Sequence, residues 1–263
     1  WFSNLPDEVK IHTPRIFSSD FFKERTFYKM EKILAPSLRE IYLFLDSTPE
    51  TWSGIFNSMF ETLEVMEKYG HKNKFMESVI DKTRSRVQNI NIPIENMLVN
   101  DFINDLEYAI NAEELRRPSL MHGDFCFSNL LYDFNSSSIK MIDPRGELFG
   151  DHYYEVAKMT HSVLYDYDFV DAELYVQDGG EFKLYNNGKW DIKNLFIDVL
   201  EDKYSKEEIR YIKLLTASLF LSMIPLHSHN ENNQKLYYKI FKEIYDSVEK
   251  GNYFGNIWIT RQT

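Results

Sequence analysis

The spacing of apolar residues along the first part of the chain changes from that of strands to that of helices. Residues 15–22 and 25–34 are rich in Ile, Phe, Thr and Tyr, which predicts two short antiparallel strands. From Trp52 onward, apolar residues recur every three or four positions with charged residues on the other face, which predicts an amphipathic helix. Two further helices are predicted before the chain becomes extended at Leu120, one marked by Phe75, Val79, Val87 and Ile90 and the other covering residues 94–106.

Two hairpins are predicted in the second half, where apolar-rich segments flank turn-forming residues. Segments 129–134 and 138–143 are joined by Asn135-Ser136-Ser137, whose side chains satisfy turn backbone locally. Segments 173–177 and 181–185 are joined by Asp178-Gly179-Gly180, where glycines can take positive φ.

The C-terminal part is predicted to be helical. One helix covers residues 206–223 and ends before Pro225. A last helix carries an apolar stripe formed by Leu236, Ile240, Ile244 and Val248. A β-rich start followed by a mostly helical body with inserted hairpins places the protein in the α+β class.

Composition and charge limit the classes of function. The 263 residues are 43% hydrophobic, enough for one large domain or two modest ones. With 30 Lys and Arg against 41 Asp and Glu, the formal charge of −11 has the wrong sign for gripping a nucleic acid, so no such partner is expected. The single cysteine, Cys126, excludes an intrachain disulfide and indicates a cytoplasmic location. The most apolar stretch, 214–226, is shorter than the ~20 residues of a membrane span, so no membrane association is expected.

The candidate chemistry lies between residues 120 and 146. With a hairpin centred near Ser136, Asn129 is predicted to lie opposite Asp143, so that an amide oxygen and a carboxylate converge. Hard oxygen ligands of this kind suit Mg²⁺. Asp124, in the loop that enters the hairpin, can reach the same pocket without binding the metal. An Asp beside a bound Mg²⁺ can accept or orient a hydroxyl proton, so the set indicates phosphoryl transfer.

The motif His122-Gly123-Asp124, followed by Asn129 and Ile142-Asp143, resembles the signature of aminoglycoside phosphotransferases, which share a protein-kinase-like fold with choline and ethanolamine kinases. The resemblance implies that Asp124 is the catalytic base, that Asn129 and Asp143 bind Mg²⁺, and that His122 braces the catalytic loop. It also implies a truncated small lobe with the hinge over residues 1–33 and a helical large lobe over residues 34–263.

The segment Tyr28-Lys29-Met30-Glu31 resembles the hinge between the two lobes of that family. The resemblance implies that Tyr28, Met30 and Glu31 contact the nucleotide base. The expected phosphoryl donor is ATP or GTP with Mg²⁺, and the expected acceptor is the hydroxyl of a small molecule. A sugar is the first expectation, and an amino alcohol or aminoglycoside is the second.

Two departures from the family pattern follow the candidate metal ligand. Where protein kinases have Phe-Gly, this chain has Pro144-Arg145-Gly146, which removes a backbone N–H and adds a guanidinium. Arg145 is predicted either to bind a phosphate or substrate anion or to pair with a carboxylate such as Glu147 or Asp151. Glu155 stands where the family more often has Asp, and a structural role in anchoring the loop is predicted for it.

The front of the family's small lobe has no counterpart in this sequence. Family members precede the hinge with a glycine-rich strand pair, a phosphate-binding Lys and a helix with its Glu partner, whereas the first glycine here is Gly54. The start at Trp1 favours a lost upstream part over a naturally reduced kinase. The alternative function is a catalytically impaired pseudokinase or a nucleotide-binding interaction module.

Other groups of residues give less support for a functional site. Cys126 is predicted to be a buried, inert thiol instead of a nucleophile. A metallohydrolase would need His122, Asp124, Asp143 and His152 as ligands, at a spacing that matches no metal motif. A role in lining an acceptor site is the less favoured reading of His161, His227 and His229. The sequence makes no prediction of the oligomeric state.

Overall fold

A computed structural model of the chain describes residues 1–22, 25–71, 78–178, 181–186 and 188–250. The strands are β1 Ile16–Phe22, β2 Arg25–Met30, β3 Pro118–Leu120, β4 Leu130–Asp133, β5 Ser138–Met141, β6 Phe149–Asp151, β7 Tyr175–Asp178 and β8 Glu181–Leu184. The helices are α1 Asp7–Lys10, α2 Leu38–Phe44, α3 Pro49–Glu67, α4 Ser78–Val87, α5 Asn96–Asn111, α6 His152–Val163, α7 Tyr167–Asp171, α8 Trp190–Lys203, α9 Lys206–Met223 and α10 Glu231–Glu249.

The chain divides into two compact units. The first is formed by Trp1–Phe75 together with Pro118–Glu155, and the second by Met76–Arg117 together with Val156–Thr263. Each unit is thus built from two separate stretches of sequence. The domains predicted at residues 1–33 and 34–263 stay a prediction.

The two predicted N-terminal strands form an antiparallel pair in the first unit. Ile16 lies opposite Met30, and a bulge follows Ile16. The second strand ends at Met30, four residues before the predicted end, because Glu31 closes the pair. Its backbone N–H donates to the Arg15 carbonyl at 2.8 Å, and its carboxylate accepts the Arg15 N–H at 3.1 Å.

Helices α2 and α3 pack against the candidate catalytic loop, residues 121–129, which connects β3 to β4. Ser37 and Glu40 form a capping box at the start of α2. Tyr42 of α2 and Trp52 of α3 are fully buried and pack on Phe127, with ring centroids 5.3 and 5.4 Å apart. Since removing a buried aromatic side chain costs about 3–5 kcal/mol, Phe127 fixes the position of the segment that carries Asn129.

The predicted hairpin at residues 129–143 forms, but its register differs by one residue. In β4 and β5, Leu130 lies opposite Met141 and Asp133 lies opposite Ser138, which leaves four residues in the turn. The turn begins early because the Asp133 carboxylate accepts hydrogen bonds from the backbone N–H of Asn135 at 2.9 Å and from the Ser136 hydroxyl at 2.8 Å.

This shift changes the residue that faces Asn129. The Ile142 N–H donates to the Asn129 carbonyl at 2.9 Å, so the prediction that Asn129 lies opposite Asp143 is wrong by one position. Asp143 follows directly, and its φ of +55° takes the chain out of the extended conformation. Asn129 and Asp143 therefore lie at adjacent ends of one hairpin.

The second unit is organised around α9, which begins and ends as predicted. Ser205 and Glu208 form a capping box at its start, and every residue from Tyr211 to Met223 is buried. Helix α10 packs along it. The segment Lys206–His227 is long and apolar enough to cross a membrane, but 83% of its apolar window is buried, as in many core helices. The segment is therefore weak evidence for a membrane span.

The second unit also holds a buried ion pair and the second predicted hairpin. Lys193 of α8 is 2% exposed and donates to the carboxylate of Asp166, which is 0% exposed, at 2.5 Å. Losing one partner of a buried pair costs about 3–5 kcal/mol, so this contact fixes α8 to the start of α7. Strands β7 and β8 confirm the predicted hairpin. Its glycine turn, 179–180, lies outside the described residues, and so does Phe75, which marked a predicted helix.

Candidate active site

The candidate site lies in the first unit, on two loops that leave one pair of strands. Strands β3 and β6 are antiparallel, with Ser119 opposite Gly150. The Met121 N–H continues the pairing by donating to the Leu148 carbonyl at 2.9 Å. The loop after β3 and the loop before β6 therefore run side by side. Helix α6 starts directly after β6.

His122 ties the two loops together. Its ring is fully buried, Nε2 lies 2.8 Å from the Ile142 carbonyl oxygen, and Nδ1 accepts the Asp124 N–H at 3.3 Å. Burial lowers the pKa of His122 to about 4, although the Ile142 carbonyl and the carboxylates of Asp124 and Asp143 oppose the shift. A neutral ring with Nε2–H as donor fits both contacts. The geometry therefore makes His122 a positioning residue between the two loops.

The buried ring makes the stability of the protein depend on pH. Below pH 6.5 the unfolded chain protonates His122, while the folded chain does not until about pH 4, so stability falls as the pH drops through this interval. The expected loss reaches about 1.4 kcal/mol per pH unit. His122→Gln should have a shallower slope of unfolding free energy between pH 4 and 6.5 in urea titrations. Equal slopes for both proteins would contradict the proposed burial of a neutral ring.

Glu155 anchors the candidate catalytic loop from α6. Its carboxylate is fully buried and accepts the backbone N–H of Gly123 at 2.6 Å and of Phe125 at 3.3 Å. Charge-assisted hydrogen bonds of this kind are about twice as strong as neutral ones. They hold the backbone on both sides of Asp124, which confirms the predicted structural role of Glu155.

Asp124 is paired with Arg145, a contact that the sequence did not predict. Nε and Nη2 of Arg145 donate to the same carboxylate oxygen, Oδ2, at 3.2 and 2.9 Å. The Asp124 side chain is 13% exposed and the Arg145 side chain 59%. Burial is the largest single effect on the pKa of Arg145 and lowers it, but the charge and the hydrogen bonds of Asp124, together with Tyr154 and Cys126, raise the pKa overall.

Asn129 and Asp143, the candidate ligands of the expected metal, carry side-chain oxygens of the kind that Mg²⁺ prefers. The Asn129 amide nitrogen donates to the Asp124 carbonyl at 3.0 Å, and its amide oxygen accepts a hydrogen bond from the Ser128 hydroxyl at 3.4 Å. Within the described part of the chain, no three His, Cys, Asp or Glu side chains form a group that could hold a metal. Phosphate oxygens and water would have to complete the coordination, as Mg²⁺ commonly requires.

The candidate nucleotide contacts lie at the end of the N-terminal strand pair. Tyr28 and Met30 belong to β2, and the Tyr28 ring is 54% exposed with Phe2 beside it. Glu31 lines a cleft of about 530 Å³ with three cationic side chains, those of Lys10, Arg15 and Lys140. Clefts of this size take small ligands. No sequence signal pointed to these three cations.

Cys126 and two of the candidate histidines lie in different units. Cys126 is buried, with its sulfur 3.3 Å from the Ser128 hydroxyl oxygen. His161 and His227 belong to the second unit, where His161 stacks on Tyr167 with centroids 4.4 Å apart. Trp1, which no pattern singled out, donates from its indole to the Met121 carbonyl at 2.6 Å and packs edge-on against His122.

Comparison with known proteins identifies solved structures that have a similar fold. Neither the protein-family models nor the curated proteins contain a match to this chain. Among solved structures, a protein of Ralstonia eutropha JMP134 assigned as an aminoglycoside phosphotransferase matches with a TM-score of 0.62 and 10% identity, over 90% of this chain and 78% of its own.

Two further structures give the same result. A choline/ethanolamine kinase family protein from Mesorhizobium loti has a TM-score of 0.54 and 11% identity, over 93% of this chain and 78% of its own. An amicoumacin kinase has a TM-score of 0.54 and 11% identity, over 84% of this chain and 65% of its own. The predicted protein-kinase-like fold of the α+β class is therefore confirmed.

Proposed function

We propose that this protein is a cytoplasmic kinase that transfers the γ-phosphoryl group of ATP or GTP to a hydroxyl of a small molecule, a sugar, aminoglycoside or amino alcohol. The observation that carries the proposal is the His122 bridge. By accepting the Asp124 N–H and contacting the Ile142 carbonyl, the ring couples the loop of the candidate base to the residue before the candidate metal ligand Asp143.

In the proposed reaction, the acceptor hydroxyl attacks the γ-phosphorus and the bond to the β-phosphate oxygen breaks. Asp124 orients the hydroxyl and receives its proton. Asn129 and Asp143 would hold Mg²⁺, which supplies positive charge to the phosphate oxygens. His122 and Glu155 keep the loop backbone fixed, so that little reorganisation is needed during the reaction. Tyr28, Met30 and Glu31 are the proposed contacts of the base.

The similar structures support the general part of this proposal, namely that the protein is a kinase of a small molecule. The amicoumacin kinase was solved with AMP-PNP, Ca²⁺ and amicoumacin, so that protein binds a nucleotide analogue, a divalent ion and a small molecule together. The Mesorhizobium loti protein is a choline/ethanolamine kinase family protein. Kinases of small molecules thus use the same fold.

One observation favours a second candidate function, a catalytically impaired pseudokinase or nucleotide-binding module. The carboxylate of Asp124 carries two hydrogen bonds from Arg145, and a carboxylate stabilised in this way is a weaker proton acceptor.

A phosphorylation screen distinguishes the two functions. We expect the purified protein with Mg·ATP or Mg·GTP to release nucleoside diphosphate only when a suitable hydroxyl compound is added, with a phosphorylated product seen by phosphorus NMR. EDTA should abolish this release, and Asp124→Asn should nearly abolish it. Nucleotide binding without phosphorylation of any compound, across sugars, amino alcohols and aminoglycosides, would overturn the kinase proposal in favour of the binding module.

A further inference from the structure

The backbone of Arg145 is tightly attached to the loop of the candidate base. Its N–H donates to the His122 carbonyl at 2.9 Å. At Gly123, φ is +79° and an added Cβ would lie 2.9 Å from the Cβ of Arg145, so only glycine lets the two segments approach this closely. The start of the Arg145 side chain is therefore fixed beside Asp124.

The guanidinium group uses only part of its binding capacity in the pair with Asp124. Both donors reach one oxygen, Oδ2, whereas the strongest arginine–carboxylate pairs engage both oxygens in a fork. The Arg145 side chain is 59% exposed and that of Asp124 only 13%. Arg145 thus presents a charged, exposed surface next to a shielded carboxylate.

We propose, on the basis of the proposed kinase function, that Arg145 binds an anionic group of the acceptor, which makes the acceptor a small hydroxyl compound bearing a carboxylate or phosphate. A hydroxyl that meets Asp124 lies within one side-chain length of this guanidinium. The planar fork of arginine suits both anionic groups, and it repels an ammonium at the same place. An amine-bearing acceptor is therefore disfavoured within the proposed range of substrates.

The net charge of the protein makes a local cation necessary for this binding. At −11, the chain as a whole repels anions, so an anionic acceptor needs a local cation at the point of reaction. The triphosphate of the nucleotide is a second anionic group that fits the Arg145 guanidinium. We assign Arg145 to the acceptor because its partner, Asp124, is the residue that faces the acceptor hydroxyl in the proposed reaction.

Calorimetry in the presence of Mg·AMP-PNP tests the inference without requiring turnover. The probes are a panel of hexose derivatives that are anionic, neutral or cationic, such as uronic acids and sugar phosphates, the parent sugars, and amino sugars. We expect the tightest binders to be anionic. Tightest binding of a neutral or cationic member, or no binding of any anionic member, would overturn the inference while leaving the kinase proposal to the phosphorylation screen.

Variants at Arg145 identify the source of the anion. Arg145→Gln should weaken the best anionic probe about 10- to 100-fold, the effect of losing a charged hydrogen bond, and Arg145→Lys should restore part of the affinity. The affinity for Mg·AMP-PNP should change less than about threefold, since the nucleotide is not the assigned partner. The matched control is Arg84→Gln, which removes an arginine paired with Glu107 at 2.7 Å in the second unit and should affect neither ligand. A parallel loss of nucleotide affinity in Arg145→Gln would assign the residue to the triphosphate and overturn the inference.

Discussion

Asp124→Asn is expected to lower kcat by about 10² to 10⁴, the usual cost of losing a general base, while the protein stays folded and binds nucleotide normally. Asn has the shape of Asp, and its amide oxygen can still accept a hydrogen bond from Arg145. The loop backbone is held independently by His122 and Glu155. Because the ion pair with Arg145 is partly exposed, its loss should cost at most about 1 kcal/mol of stability.

Three measurements on the one purified variant separate chemistry from structure. We expect kcat to fall while the nucleotide Kd and the melting temperature change little. Glu107→Gln is the matched control, because it neutralises the carboxylate of another arginine pair away from the site and should leave kcat unchanged. If all three quantities fall together in Asp124→Asn, the residue is structural and its assignment as the base is lost.

The sequence predicts those parts of the fold in which local pattern and burial agree. Helix α9 carries a capping box at Ser205 and then an unbroken buried stretch, and its predicted bounds are confirmed. Helix α3 begins three residues before the predicted Trp52, because Thr48 caps it and Pro49 occupies its first turn, signals that apolar periodicity does not contain. The presence of α3 and α9 thus follows from apolar periodicity, whereas the positions at which they begin depend on the capping residues Thr48 and Ser205.

The register of the β4–β5 hairpin shows where such reasoning fails. In the observed register, the buried residues Leu130 and Tyr132 lie opposite the buried residues Met141 and Ile139. The turn is fixed by two of its residues, which donate hydrogen bonds to the Asp133 carboxylate. The same limit applies to Arg145. The motif placed a guanidinium near the candidate site, and Glu147 or Asp151 were nearer in sequence, but its partner Asp124 is 21 residues away. The pairing of β3 with β6, which the local sequence does not reveal, brings these two loops together.

Asp143→Asn is expected to weaken binding of Mg·AMP-PNP by about 10- to 100-fold or more. Mutating residues that only hydrogen-bond to a metal ligand already has effects of that size, and Asp143 is proposed to bind the metal directly. Asn is the suitable replacement because φ at this position is +55°, a conformation that Asn tolerates and that strains Ala. Asp143 is exposed, so the unfolding free energy should change by no more than about 0.5 kcal/mol.

The magnesium dependence of binding is the decisive measurement for Asp143. Calorimetric titration of AMP-PNP with and without Mg²⁺ should give a large difference in Kd for the original protein and a small one for Asp143→Asn, because a neutral amide is a weaker ligand for a hard cation than a carboxylate. Glu147→Gln removes an exposed carboxylate four residues later in the same loop and should keep the full magnesium effect. A folded Asp143→Asn with the full magnesium effect would exclude Asp143 as a metal ligand, whereas an equal loss in Glu147→Gln would indicate a general effect of negative charge.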